Sequence, residues 1–331
     1  MDETPSAKRR FVSALIALYA ASLIAACIIV ARNQSPAPVK KAKKDGGGLL
    51  GGGGEPAVGW IAIHGVIANS DSGKPWDRGV EQWVRRLRAM SEDKDVKAIV
   101  LDINSPGGSV GAVQELYSQI ERVRKEKHIP VVALFDDVAA SGGYYIASAC
   151  DKIVAHPGTL TGSIGVIFDV ANVQGLLKKI GVSMDPVKSG KHKDIGSPAR
   201  PMTAEERALL QSLIMDAYGQ FVGAVSEGRK IPVEKVKPLA DGRIYSGRQA
   251  LDLHLVDQLG DSEDAIMLAG QLSGISGRPK VKRELDHFSD LFEMLDSRFE
   301  GALPGAAASQ LVERLAPEHF GLEYRWAGWG Q

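Results

Sequence analysis

VVALFDDVAASGGYYIASACDKIVA, residues 131–155, is the stretch of sequence that decides the fold. Its apolar runs at 131–135 and 152–155 are typical of buried strands. The serine and two glycines between them, followed by small and aromatic residues, predict a tight turn at Ser141 and a helix that starts just after it. Backbone N–H groups and the dipole at a helix start favour negative charge, which suits a nucleophilic serine and an oxyanion. The alternative is that Ser141 only caps the helix.

The same pattern occurs earlier in the chain. An apolar run at 96–104 leads into Ser-Pro-Gly-Gly-Ser at 105–109, and apolar residues three or four apart from 110 onwards predict an amphipathic helix. Strands that alternate with helices indicate an α/β fold with a mainly parallel sheet covered by helices. The two glycine turns then lie at the same edge of that sheet, where sites usually form.

Composition excludes several classes of protein. The 331 residues include 40 basic and 40 acidic ones, so no positive charge excess points to nucleic acid. The seven histidines are scattered and show no metal-ligand spacing, so we expect no metal and no cofactor. The two cysteines, Cys27 and Cys150, lie in different parts of the chain and predict no internal disulfide.

The N-terminal region predicts a membrane anchor. Residues 11–31, FVSALIALYAASLIAACIIVA, are uncharged and long enough to span a bilayer as a single helix. Basic residues at 8–10 place the N-terminal segment, residues 1–10, in the cytoplasm. Residues 32–56 are rich in Gly, Pro and Lys and predict a flexible linker. A cleaved signal peptide, or lipoprotein processing at Cys27, is the alternative.

A nucleophilic serine needs a base, and no histidine lies in a context that suggests one. His192 is the nearest candidate, and a solvated loop residue is the simpler interpretation of it. Lysine can serve as the base where desolvation lowers its pKa. The polar loop at 187–198 carries Lys188, Lys191 and Lys193, although such lysines are usually only solvated.

Five motifs occur in an order that resembles one protein family. They are NSPGGS at 104–109, AASGGYY at 139–145, TGSIGV at 161–166, KSGKHKD at 188–194 and DGRIYSGR at 241–248. Over about residues 58–272 the chain resembles the half-length form of the signal peptide peptidase A family, membrane-anchored Ser/Lys peptidases. The resemblance implies a ClpP/crotonase-like α/β fold of repeated β-β-α units, preceded by one transmembrane helix. It implies a peptidase domain at 57–275 and a C-terminal extension at 276–331.

The resemblance also implies roles for individual residues. Ser141 matches the nucleophile and Lys193 the general base, whereas Lys188 and Lys191 do not match the base position. The oxyanion donors map to the backbone N–H groups of Gly108 and Gly142, and Ser163 matches a hydroxyl that orients the lysine. The chain departs from the family at His192, where an aromatic residue is common.

The family further implies a setting for the chain. Its members form bowl-shaped homo-oligomers in which the serine and lysine of one site come from adjacent subunits. We therefore expect a single-pass protein of the cytoplasmic (inner) membrane, with its catalytic domain on the extracytoplasmic side, that degrades remnant signal peptides and other unfolded peptides. Two alternatives stay open: a crotonase-type enzyme that acts on acyl-CoA thioesters, and an inactive peptide-binding membrane scaffold.

Overall fold

The computed structural model describes residues 54–69, 79–283 and 323–325, all within one compact unit that spans residues 53–331. The predicted cytoplasmic segment, the anchor at 11–31, nearly all of the linker and most of the C-terminal extension lie outside the described residues. Among the helices that are described, none has the length and apolar character needed to cross a bilayer.

The described strands form one large sheet and one small one. The strands are β1 (Ala57–His64), β2 (Val96–Ser105), β3 (Gly107–Ser109), β4 (Val131–Ala140), β5 (Lys152–Ala155), β6 (Leu160–Gly162), β7 (Ile244–Ser246), β8 (Gln258–Leu259), β9 (Lys280–Arg283) and β10 (Glu323–Arg325). In the large sheet β9, β1, β2 and β4 are parallel neighbours, and β4 pairs with both β5 and β6 on its other edge. Only β7 runs antiparallel there, so the predicted mainly parallel sheet is confirmed.

Helices connect these strands. They are α1 (Val80–Glu92), α2 (Val110–Glu126), α3 (Gly142–Ser148), α4 (Gln174–Lys179), α5 (Ala204–Arg229), α6 (Val233–Val236), α7 (Gly247–Asp252) and α8 (Ser262–Leu272). The start of α5 is a capping box, in which the Thr203 hydroxyl accepts from the Glu206 N–H and the Glu206 carboxylate accepts from the Thr203 N–H. The predicted helices after both glycine turns are present.

Both faces of the central strands are buried. Ile99, Leu101 and Ile103 of β2 point into the large core beneath α1, α2 and α3, whereas Ala98 and Val100 pack on the opposite face against α8. Strands buried on both sides are continuous apolar runs, which explains why β2 and β4 are recognisable in the sequence. The turns that follow β2 and β4 are therefore attached to strands that are packed on both faces.

Candidate active site

Ser141 joins the end of β4 to the start of α3 in an unusual backbone conformation. Its φ of 53° and ψ of −115° lie in a region that residues other than glycine rarely adopt. The Ser141 N–H donates to the Gly162 carbonyl at 2.8 Å, and the Ser141 carbonyl accepts from the Tyr145 N–H at 2.8 Å. Its side chain makes no capping hydrogen bond, so the serine holds the N-cap position without acting as a helix cap. Strain of this kind is concentrated at functional sites.

The two glycine turns predicted to share one edge of the sheet are in contact. Gly107 has a φ of 103°, and a Cβ there would lie 2.6 Å from the Gly142 nitrogen. A Cβ at Gly142 would lie 2.6 Å from the Cγ2 of Val113 in α2. Glycine at position 107 is therefore required for the two turns to approach each other.

Replacing Gly143 with alanine is expected to lower the free energy of unfolding by ~1–3 kcal/mol, since a new Cβ would lie 2.8 Å from the Ser105 carbonyl oxygen. The matched control is Gly111→Ala, because an added Cβ at this exposed position in α2 meets nothing within 4 Å. We expect that change to be neutral or to stabilise by less than about 1 kcal/mol. Urea unfolding of both variants measures the difference, and equal midpoints would contradict the close contact.

Ser141 and Ser163 line one cavity of about 540 Å³. Ser163 follows β6 with a φ of 49°, and its N–H donates to the Arg243 carbonyl at 2.8 Å. The rest of the wall is largely apolar and comes from the segment after Ser163, from α5 and from the turn before β7. These lining residues are Gly165, Val166, Ile167, Ile214, Met215, Tyr218, Ala240, Asp241 and Gly242.

The predicted base, Lys193, belongs to the polar loop at 187–198. It is exposed in the loop before α5 and is not among the described residues that line the Ser141 cavity. Lys188 pairs with Asp194 at 2.8 Å, and Lys191 pairs with Glu205. Of these three loop lysines, only Lys193 has an ammonium group without an ion pair to a described residue. The pairing of Lys193 with Ser141 therefore stays a prediction from the resemblance.

An arginine network holds the lysine loop against α5. Arg200 donates to the Asp194 carboxylate at 2.8 and 2.9 Å and to the Glu206 carboxylate. Its guanidinium lowers the pKa of Glu206 to about 2 and, together with Lys188, holds the pKa of Asp194 well below its usual range. Both carboxylates are charged at neutral pH, so the ion pairs fix the loop that carries Lys193.

Two groupings were not predicted from the sequence. The Nε2 atom of His64 lies 3.4 Å from the Oδ2 atom of Asp102, and the hydrogen bond with Asp102 raises the pKa of His64. The carboxylate of Asp136 is close to both side chains. These residues come from three neighbouring strands, and their separations of 38 and 34 residues carry no recognisable motif. The second grouping is the antiparallel pairing of β10 with β3, in which Tyr324 lies opposite Gly108.

Comparison with known proteins identifies the family of the chain. The model of peptidase family S49 matches residues 123–276, and the model of Clp protease matches residues 73–159. A Synechocystis protein named as a protease is 47% identical over 212 residues, which are 64% of this chain and 75% of that protein. An Enterococcus faecium protein named as a signal peptide peptidase SppA is 42% identical over 62% of this chain and 60% of its own length.

A more distant relative covers more of the chain. Protease 4 of Salmonella typhi is 34% identical over 256 residues, which are 77% of this chain and 40% of that protein. Both family models and these three relatives are named as proteases, and the five motifs fall within residues 73–276, the combined span of the two models. The chain therefore belongs to peptidase family S49, the signal peptide peptidase A family of serine proteases.

Proposed function

We propose that this protein is a membrane-anchored serine endopeptidase that degrades remnant signal peptides and other unfolded, membrane-derived peptides, with Ser141 as nucleophile and Lys193 as general base. The observation that carries the proposal is the strained, buried Ser141 beside two touching glycine turns. The apolar run at 11–31 supports the anchor, and the apolar wall of the cavity suits peptides with apolar or small side chains.

The chemistry is acyl transfer. Neutral Lys193 takes the proton of the Ser141 hydroxyl while the Ser141 Oγ attacks a peptide carbonyl. The oxyanion that forms accepts hydrogen bonds from the N–H groups of Gly108 and Gly142. When the tetrahedral intermediate collapses, the peptide C–N bond breaks and Lys193 gives the proton to the leaving amine. A water molecule then loses a proton to Lys193 and attacks the acyl ester. The ester C–O bond breaks, Lys193 returns the proton to the Ser141 Oγ, and the acid product leaves. Ser163 would orient the lysine.

We further propose that Ser141 of one chain works with Lys193 of a second copy in a homo-oligomer. Exposed large apolar side chains recur in the sequence between residue 176 and the lysine loop, and again along α5. They are Leu176, Ile180, Val182, Met184, Val187, Leu209, Leu213 and Met215. Apolar surface of this extent is typical of a protein interface. A second copy that covers it would bring the free ammonium of Lys193 towards a neighbouring site.

A fluorophosphonate probe is expected to form one adduct per chain, on Ser141, because such probes react with activated serine hydroxyls. Lys193→Ala should slow labelling by about 100-fold or more through loss of the base. Lys191→Ala is the matched control in the same loop and should label at the wild-type rate. Intact-mass and peptide-mapping spectrometry measure the adduct. An assembled chain that is not labelled at Ser141 would contradict the proposal and favour the acyl-CoA enzyme or the scaffold.

A further inference from the structure

Three side chains that can bind a metal ion meet on the face of the large sheet that carries α8. They are His64 at the end of β1, Asp102 in β2 and Asp136 in β4. Side chains of a strand alternate between its two faces, and the residues two or four positions earlier in each of these strands belong to the apolar cluster that packs on α8. The three side chains therefore share this face, beyond the buried cluster and towards the carboxyl ends of the strands.

The donor atoms of the three side chains are close enough to share one ion. The Nε2 atom of His64 lies 3.4 Å from the Oδ2 atom of Asp102, and one donor atom from each of the three side chains lies within 4.8 Å of the others. Bonds of about 2.0–2.2 Å from Zn²⁺ to nitrogen and oxygen place two ligand atoms of a tetrahedral site about 3.3–3.6 Å apart. The distance from His64 to Asp102 fits such a pair of ligands.

Asn104 holds the third ligand, Asp136, towards this cluster. The pairing of β2 with β4 shifts its register next to Asn104. The Asn104 amide donates to the Oδ2 atom of Asp136 at 3.4 Å and accepts from the Val138 N–H at 3.3 Å. Strand irregularities often redirect a side chain next to a functional site, and metal ligands are usually oriented by a hydrogen-bond partner of this kind.

Two carboxylates at this distance favour a positive charge between them. Among the residues that the structure describes, no lysine or arginine forms an ion pair with Asp102 or Asp136. Their described partners are His64 and the neutral amide of Asn104. A divalent cation would balance both carboxylates, and the imidazole nitrogen favours Zn²⁺ over Mg²⁺ and Ca²⁺, which prefer oxygen ligands.

We propose that His64, Asp102 and Asp136 bind one divalent transition-metal ion of the Zn²⁺ type, with water completing its coordination. The histidines of the sequence show no metal-ligand spacing because the parallel register of β1, β2 and β4 assembles this site from distant residues. The ion joins three neighbouring strands, and two of them, β2 and β4, lead into the glycine turns. It thereby stabilises the strands that carry those turns.

The test measures metal binding by the purified full chain, without an affinity tag and after treatment with a chelator. Titration calorimetry with Zn²⁺ should give one ion per chain, and Zn²⁺ at about a hundredfold above its Kd should raise Tm by about 5–10 °C. His64→Gln should weaken binding by about 100-fold or more, because even the loss of a partner that orients a metal ligand costs about 10–100-fold. Asp137→Asn is the matched control: it removes a carboxylate from the next, exposed residue of β4, which is outside the cluster, and should bind as the wild type does.

Visible absorption of Co²⁺ provides a second measurement that does not depend on unfolding. Co²⁺ should gain an absorption band on binding to the wild-type chain, and this band should be missing with His64→Gln and with Asp136→Asn. Equal Zn²⁺ affinity of the wild type and His64→Gln, or Mg²⁺ that binds as tightly as Zn²⁺, would overturn the inference. Failure of the wild type to bind Zn²⁺ at one ion per chain would overturn it as well, and would leave a protonated His64 as the partner of the two carboxylates.

Discussion

Replacing Lys193 with arginine is expected to lower kcat/KM for peptide cleavage by ~10,000-fold or more, as much as replacing Ser141 with alanine. Arginine keeps the positive charge and a similar reach, but it does not lose its proton in proteins. It therefore cannot take the proton of the Ser141 hydroxyl. A lysine that acted only through its charge would tolerate this exchange, so the variant distinguishes a base from an electrostatic anchor.

The loop of Lys193 provides a matched control. Lys191 lies two residues earlier and forms an exposed ion pair with Glu205, so Lys191→Ala removes a charge from the same loop. We expect that variant to stay within about threefold of the wild-type kcat/KM, because exposed ion pairs contribute little. Initial rates on an unfolded peptide measure the difference between the variants. A Lys193→Arg chain with activity near wild type would contradict the Ser/Lys assignment.

The sequence was sufficient to predict the elements that are buried on both faces. The apolar runs of β2 and β4 and the helices after them follow from local pattern alone, because each strand is apolar throughout and each helix starts at a glycine turn. The capping box at Thr203 and Glu206 is equally local, since both partners lie within one turn. These features depend on residues that are near one another in the chain.

Features that depend on residues far apart in the chain could not be predicted from local sequence pattern. Ser141 has a positive φ, and its N–H donates to the carbonyl of Gly162, which lies on another strand. The pairing of Tyr324 with Gly108 joins residues more than 200 positions apart, and a three-residue strand has no periodicity to detect. The roles of Lys193 and Ser163 came from the resemblance, because a lysine loop and a Thr-Gly-Ser turn are too common to indicate catalysis alone.

Mixing the Ser141→Ala chain with the Lys193→Ala chain is expected to restore cleavage that neither chain shows alone. Lys193 is exposed and does not line the Ser141 cavity of its own chain among the described residues, so a shared site needs one residue from each copy. In an oligomer that assembles at random from equal amounts, about a quarter of the sites combine an intact serine with an intact lysine. The mixture should therefore reach about a quarter of the wild-type rate.

The chains must be unfolded and refolded together, or produced together, so that they enter the same oligomers. The matched control mixes the Ser141→Ala chain with the Ser141→Ala/Lys193→Ala chain, which cannot recover because neither supplies a nucleophile. Light scattering after size separation shows whether each mixture forms assemblies of the wild-type size. A site contained in one chain predicts no recovery in assemblies of that size, because every chain then lacks one member of its own pair. Recovery near a quarter would instead require that Ser141 and Lys193 meet across a subunit interface.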